Sequence, residues 1–83
     1  QQKKIAILGS TGSIGTQAVE IISSRPEYFK ATTLTANSSY EKLAEQVNTL
    51  RPRTVVLCDE NCREDFLSLL KFKPANILFG KDA

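Results

Sequence analysis

The residues best placed to do chemistry lie between Lys4 and Gly15, KIAILGSTGSIG, where Gly9, Gly12 and Gly15 follow an apolar run at regular spacing. This G-x-x-G-x-x-G pattern is a variant of the phosphate turn that links a strand to a helix in dinucleotide-binding domains. Each glycine has its own reason to lack a side chain. Gly9 turns the chain sharply, Gly12 lets backbone approach a pyrophosphate, and Gly15 lets the helix pack close to the sheet. The first N–H groups of that helix, with its dipole behind them, form an anion site. Thr11 and Ser13 add hydroxyls that either donate to a phosphate oxygen or cap the helix. The same pattern also fits a tight strand-to-helix turn that binds no nucleotide.

A second group lies in Thr35-Ala36-Asn37-Ser38-Ser39, at the distance where NAD-selective sites place an acid for the ribose 2′-hydroxyl. No acid is present here, so a 2′-phosphate would meet amide, hydroxyl and backbone donors without carboxylate repulsion. No Arg or Lys stands in the loop to select that phosphate strongly. Asn37 also suits a turn and Ser38 a helix cap.

The rest of the composition narrows the chemistry. There is no histidine in the 83 residues, which removes the commonest general base near neutral pH and any Ser-His or Cys-His nucleophile. Cys58 and Cys62, spaced C-x3-C, lack partners for a zinc site and read as two reduced thiols. Asp59, Glu60, Glu64 and Asp65 read as a solvated loop and helix start rather than a metal site. The net charge of +2, without a basic block, gives no nucleic-acid surface. No apolar run reaches the length of a membrane span and no leader pattern is evident, so a soluble, intracellular, cytoplasmic chain is expected.

The elements that must position these residues follow from periodicity. Ile5 to Leu8 reads as a fully buried parallel strand, and Ile14, Ala18, Ile21 and Ile22 as the buried face of a helix that ends near Pro26. Phe29 to Ala36 suits a second strand. Tyr40 to Leu50 is amphipathic, with Tyr40, Leu43, Ala44, Val47 and Leu50 on one stripe and Glu41, Lys42, Glu45 and Gln46 on the other side. Ser38 with Glu41 predicts a capping box at its start. Thr54 to Leu57 is a third strand, Cys62, Phe66, Leu69 and Leu70 mark a third helix capped at Asn61, and Asn76 to Phe79 is a fourth strand.

The order β-α-β-α-β-α-β predicts an α/β, Rossmann-like, doubly wound parallel sheet of strand order 3-2-1-4, with helices on both faces and a topological switch beside strand one. The loops Gly9–Gly15 and Asn37–Ser39 should then meet. One domain, residues 1–83, fits the length, and a dinucleotide domain needs further strands for its nicotinamide half, so a fragment is expected.

The residues also resemble a specific family, the 1-deoxy-D-xylulose 5-phosphate reductoisomerases, whose cofactor segment reads ILGSTGSIG, as Ile7 to Gly15 does here. The likeness continues through Arg25-Pro26-Glu27-Tyr28-Phe29, Ala44-Glu45-Gln46, Pro52-Arg53 and Asp59-Glu60, then weakens. The resemblance implies an NADPH-dependent oxidoreductase of non-mevalonate isoprenoid biosynthesis that converts 1-deoxy-D-xylulose 5-phosphate to 2-C-methyl-D-erythritol 4-phosphate. It further implies a homodimeric parent enzyme with a divalent metal, magnesium or manganese, whose ligands lie outside this chain, as does the catalytic machinery; the fragment alone is expected to be inactive. Carried over by position, Thr11, Gly12, Ser13 and Ile14 match the family's phosphate turn. Asn37, Ser38 and Ser39 replace the family's frequent Gly-Lys-Asn, which removes a lysine from the 2′-phosphate. The alternatives are the Rossmann domain of another NAD(P)-dependent oxidoreductase and a non-catalytic nucleotide-binding module.

Overall fold

In the computed structural model, which describes residues 2–80, four strands alternate with three helices. They are β1 (Lys3–Ile7), α1 (Ser13–Ser24), β2 (Phe29–Ala36), α2 (Tyr40–Leu50), β3 (Thr54–Leu57), α3 (Arg63–Leu69) and β4 (Asn76–Phe79), with a short 3-10 turn, Glu60–Cys62, before α3.

All neighbouring strands are parallel, and their order is β1-β2-β3-β4. This corrects the expected order 3-2-1-4. The return from β3 to β4 contains only a seven-residue helix, about 10 Å long. That return sets β4 directly beside β3, with Thr54–Leu57 paired to Asn76–Phe79. Beside β3 it also gains its packing partners, because the Phe79 ring meets Phe66 edge-on at 6.3 Å and Arg63 lies over the Phe79 ring at 5.2 Å.

The order decides where the helices go. Right-handed crossovers that always step to the next neighbour place every helix on the same face, and α2 packs against both α1 and α3. The sheet is therefore wound on one side among the described residues, not on both, and the strand order reverses nowhere beside β1. Inward residues Ile7, Ala31, Leu34, Ala36, Val55 and Leu57 are buried against the helices with Leu43, Val47 and Phe66. Ala6, Thr33, Val56 and Leu78, which alternate with them, are exposed or half-exposed.

Two expectations for the first unit change accordingly. With helices on one face alone among the described residues, Ala6 and Leu8 are exposed on the other face rather than fully buried. On α1 the buried stripe is Gly15, Val19 and Ile22, while Ile14 and Ile21 are 84% and 55% exposed. On α3, Phe66 is buried but Leu69 is exposed.

The pairing of β1 with β2 contains one irregularity. Ile5 faces Ala31 and Ala6 faces Thr33, so Thr32 is an extra residue in β2, and its hydroxyl donates to the Ile5 carbonyl at 3.2 Å. The bulge lets Ala31 and Leu34, three positions apart, both face the core.

Candidate functional site

Each glycine of the first turn has a distinct local cause. Gly9 adopts a φ of +70, a left-handed conformation that side chains resist. Its carbonyl accepts from the Gly12 N–H at 3.0 Å, closing the turn. A Cβ on Gly15 would lie 2.2 Å from the Gly9 carbonyl oxygen and 2.8 Å from Ser10 Cα, so Gly15 permits close packing of α1 on the turn itself. Gly12 is different. Its φ of −75 and ψ of 175 suit any residue, and a Cβ there would meet only the Gly9 carbonyl oxygen, at 3.4 Å. Nothing inside the protein demands glycine at that position, and the space beside it opens outward.

Gly12 is the residue that flanks α1, and no side chain caps that helix. The hydroxyls of Thr11 and Ser13 therefore do not cap it, and the first turn of α1 carries no acid. The Thr16 hydroxyl instead donates back to the Gly12 carbonyl at 2.7 Å. Ser13 and Ile14 are exposed and Thr11 is half-buried. With Leu8, Gly9 and Gly12, Ser13 and Ile14 line an open trough of about 630 Å³ that continues along the free edge of β1.

The second predicted group sits at the same end of the sheet, since β1 and β2 are parallel neighbours. Asn37, Ser38 and Ser39 are all exposed. Ser39, not Ser38, flanks α2, and no side chain caps that helix, because the Tyr40 N–H turns back onto the Ser38 carbonyl at 2.8 Å. The expected capping box does not form, and both serine hydroxyls are left free of that task. The Asn37 carbonyl accepts from the Asp59 N–H at 2.8 Å, which ties the loop to the end of β3. The Glu41 carboxylate, together with burial and Asp65, pushes the Tyr40 phenol up.

Two residues not assigned as cofactor contacts, Thr35 and Gln46, hold the start of the first loop. Thr35 accepts at its hydroxyl from the Gly9 N–H, at 2.8 Å, and at its carbonyl from the Ser10 N–H, also at 2.8 Å. From the other side, Gln46 Nε2 donates to the Ser10 carbonyl at 2.8 Å. The sequence reading set Gln46 on the polar side of α2, yet it is buried. The available signal was its position three residues after Leu43 and four before Leu50, which falls within the apolar stripe.

The acidic segment after β3 behaves as expected of a loop and helix start. Asp59 caps the 3-10 turn, accepting from the Asn61 N–H at 3.0 Å, while α3 starts after Cys62 with no side-chain cap, so the expected cap at Asn61 does not form. Burial, then Asp59, pushes the Cys62 thiol up, and both cysteines are free. Among the described residues no group of three His, Cys, Asp or Glu side chains could hold a metal ion, and no helix is long and apolar enough to cross a membrane.

The family model for 1-deoxy-D-xylulose 5-phosphate reductoisomerase matches residues 5–83. The chain is 46% identical over 80 residues to the 1-deoxy-D-xylulose 5-phosphate reductoisomerase of Chloroherpeton thalassium, covering 96% of the chain and 21% of that relative. It is 55% identical over 80 residues to a reductoisomerase of Bacillus thuringiensis, covering 96% of the chain and 20% of the relative. The reductoisomerase from Zymomonas mobilis, solved in complex with NADPH, superposes with a TM-score of 0.88 at 26% identity, covering 99% of this chain and 22% of that one. A reductoisomerase structure with NADPH, fosmidomycin and magnesium superposes with a TM-score of 0.78 at 26% identity, over 96% of this chain and 20% of that one. The chain thus spans about a fifth of the length of the relatives it matches.

Proposed function

The chain belongs to the 1-deoxy-D-xylulose 5-phosphate reductoisomerase family, and from that premise we propose that it is a single domain holding the adenosine, ribose and pyrophosphate of NADPH for that enzyme. The observation that carries this reading is the open space at Gly12, where glycine serves no internal purpose, beside an α1 N-terminus that no side chain caps. Backbone N–H groups of Ser13 and Ile14 point their dipoles at the pyrophosphate, and the Thr11 and Ser13 hydroxyls supply further donors. Gly12 leaves the room for approach. The amide of Asn37 and the hydroxyls of Ser38 and Ser39 face the ribose and its 2′-phosphate, and these three residues carry no carboxylate of their own.

When bound, NADPH supplies the hydride for the reduction; the chain's own residues bind the cofactor and hold it in place. In the whole enzyme the reaction is rearrangement and reduction of 1-deoxy-D-xylulose 5-phosphate to 2-C-methyl-D-erythritol 4-phosphate, a step of isoprenoid biosynthesis. The divalent metal, magnesium or manganese, and the sugar phosphate are then held by residues outside those described. The same reading makes the whole enzyme a cytoplasmic homodimer, and these 83 residues alone inactive.

Gly12→Val tests the assignment. The added side chain fills the pyrophosphate's place, so NADPH affinity should fall at least about a hundredfold, roughly 2.7 kcal/mol, with a smaller change in melting temperature. A folded Gly12→Val protein that binds NADPH normally would overturn the phosphate site, and equal affinity for NADH and NADPH in the unaltered protein would overturn the role given to Asn37–Ser39.

A further inference from the structure

Gln46 is 7% exposed, and it lies on α2 among the buried Leu43, Ala44 and Val47. An amide in such surroundings requires partners for both its ends. Only one end has a partner: Nε2 donates to the Ser10 carbonyl, while Oε1 is buried with no partner among the described residues. A methionine or leucine would fill the same volume and remove the orphaned Oε1, but would leave the buried Ser10 carbonyl without its donor, so the purpose of an amide here lies in that one bond.

What the amide does hold is the backbone of the phosphate turn. Ser10 is fully buried, and its two peptide groups are both engaged by the protein. Its N–H is held by the Thr35 carbonyl from β2, and its carbonyl by Gln46 from α2. Neither group is available to a ligand; together they fix where Thr11–Ile14 begin. The helix that carries Gln46 starts at Tyr40, directly after the Asn37–Ser39 loop. Gln46 is six residues further on, about 9 Å along a stiff helix. Among the described residues, the Gln46–Ser10 contact is the hydrogen bond that joins α2 to the turn.

We infer that Gln46 is a positioning residue for NADPH: it sets the distance between the pyrophosphate turn and the loop that faces the 2′-phosphate. The inference rests on the cofactor reading above and adds a component that touches no ligand. A dinucleotide that engages both loops at once depends on their spacing, whereas a ligand that engages one loop does not.

The test is a set of ligand titrations by calorimetry on the whole protein and its Gln46→Met variant, which keeps the side-chain volume and removes the donor. NADPH spans both loops, adenosine 2′-phosphate reaches only Asn37–Ser39, and inorganic pyrophosphate reaches only the turn. Loss of one such hydrogen bond should raise the NADPH Kd about three- to tenfold, with each of the two short ligands shifting by less than about twofold. Asn48→Ala is the control: on the same helix, Asn48 holds Leu69, Lys71 and Phe72, and its loss should lower the melting temperature without altering the NADPH Kd. If Gln46→Met does not fold, Gln46→Asn, which keeps an amide one methylene short of Ser10, should give the same pattern. An unchanged NADPH Kd in the folded variant overturns the inference, as does equal weakening of all three ligands. Failure of the unaltered protein to bind NADPH would overturn the cofactor reading itself, and this inference with it.

Discussion

The turn from β1 into α1 and the turn from β3 toward α3 leave the same end of the sheet and treat their free N–H groups in opposite ways. After β3, Asp59 folds its carboxylate back onto the Asn61 N–H, and Glu64 and Asp65 occupy the first turn of α3. That end has supplied its own negative charge and needs none from outside. After β1, the chain provides no acid and no side-chain cap. The comparison teaches a cost as well as a function. A turn that caps itself also holds its own shape, whereas one that keeps its donors open must be held by its neighbours, here Thr35 and Gln46.

The largest expected effect that sharpens this contrast lies on the self-capped side. Phe66 is fully buried and meets Phe79 edge-on. Phe66→Ala should cost about 3 to 5 kcal/mol in denaturant unfolding, with the NADPH affinity of the remaining folded protein unchanged; weaker binding in that folded protein would mean the two turns are not independent. Next comes Gly15→Ala on the open side. Its Cβ meets backbone at 2.2 Å, so the turn must shift, costing about 1 to 3 kcal/mol and weakening NADPH binding in the same variant. Were Gly15→Ala as stable as the unaltered protein and equally tight for NADPH, the turn would not be the braced unit described. The smallest is Asp59→Ala, which should lose about 1 kcal/mol of stability and leave NADPH affinity as it was. A titration showing that Asp59→Ala changes NADPH binding would break the division of labour between the two ends.

Much of the local structure was legible from the residues. Threonine-rich Phe29–Ala36, amphipathic Tyr40–Leu50 and β-branched Thr54–Leu57 form the elements their patterns predict, because periodicity and propensity act within one element. The turn conformation at Gly9 was equally accessible, since left-handed backbone leaves a direct mark on residue choice. Strand order was not. An apolar strand such as Ile5–Leu8 records that side chains prefer burial, but not which strand lies beside it, and the same holds for Ile14 and Ile21 on α1. Gln46 was missed for a related reason: a polar type was weighed above its angular position on α2. The candidate residues Thr11–Ile14 and Asn37–Ser39 do emerge at one end of the sheet, since parallel neighbours bring their following loops together whatever the order beyond them.

The extra residue at Thr32 bears on how this sheet finds its alignment during folding. Parallel strands joined through helices pair late and over long sequence distances, where slipped alignments compete. Because side chains alternate, a uniform ladder would satisfy either Ala31 or Leu34 as inward residues, not both. Only the alignment that loops out Thr32 buries the two together and also brings Thr35 to the Gly9 N–H. The bulge therefore ties two features to one alignment: the joint burial of Ala31 and Leu34, and the Thr35 brace on the glycine turn.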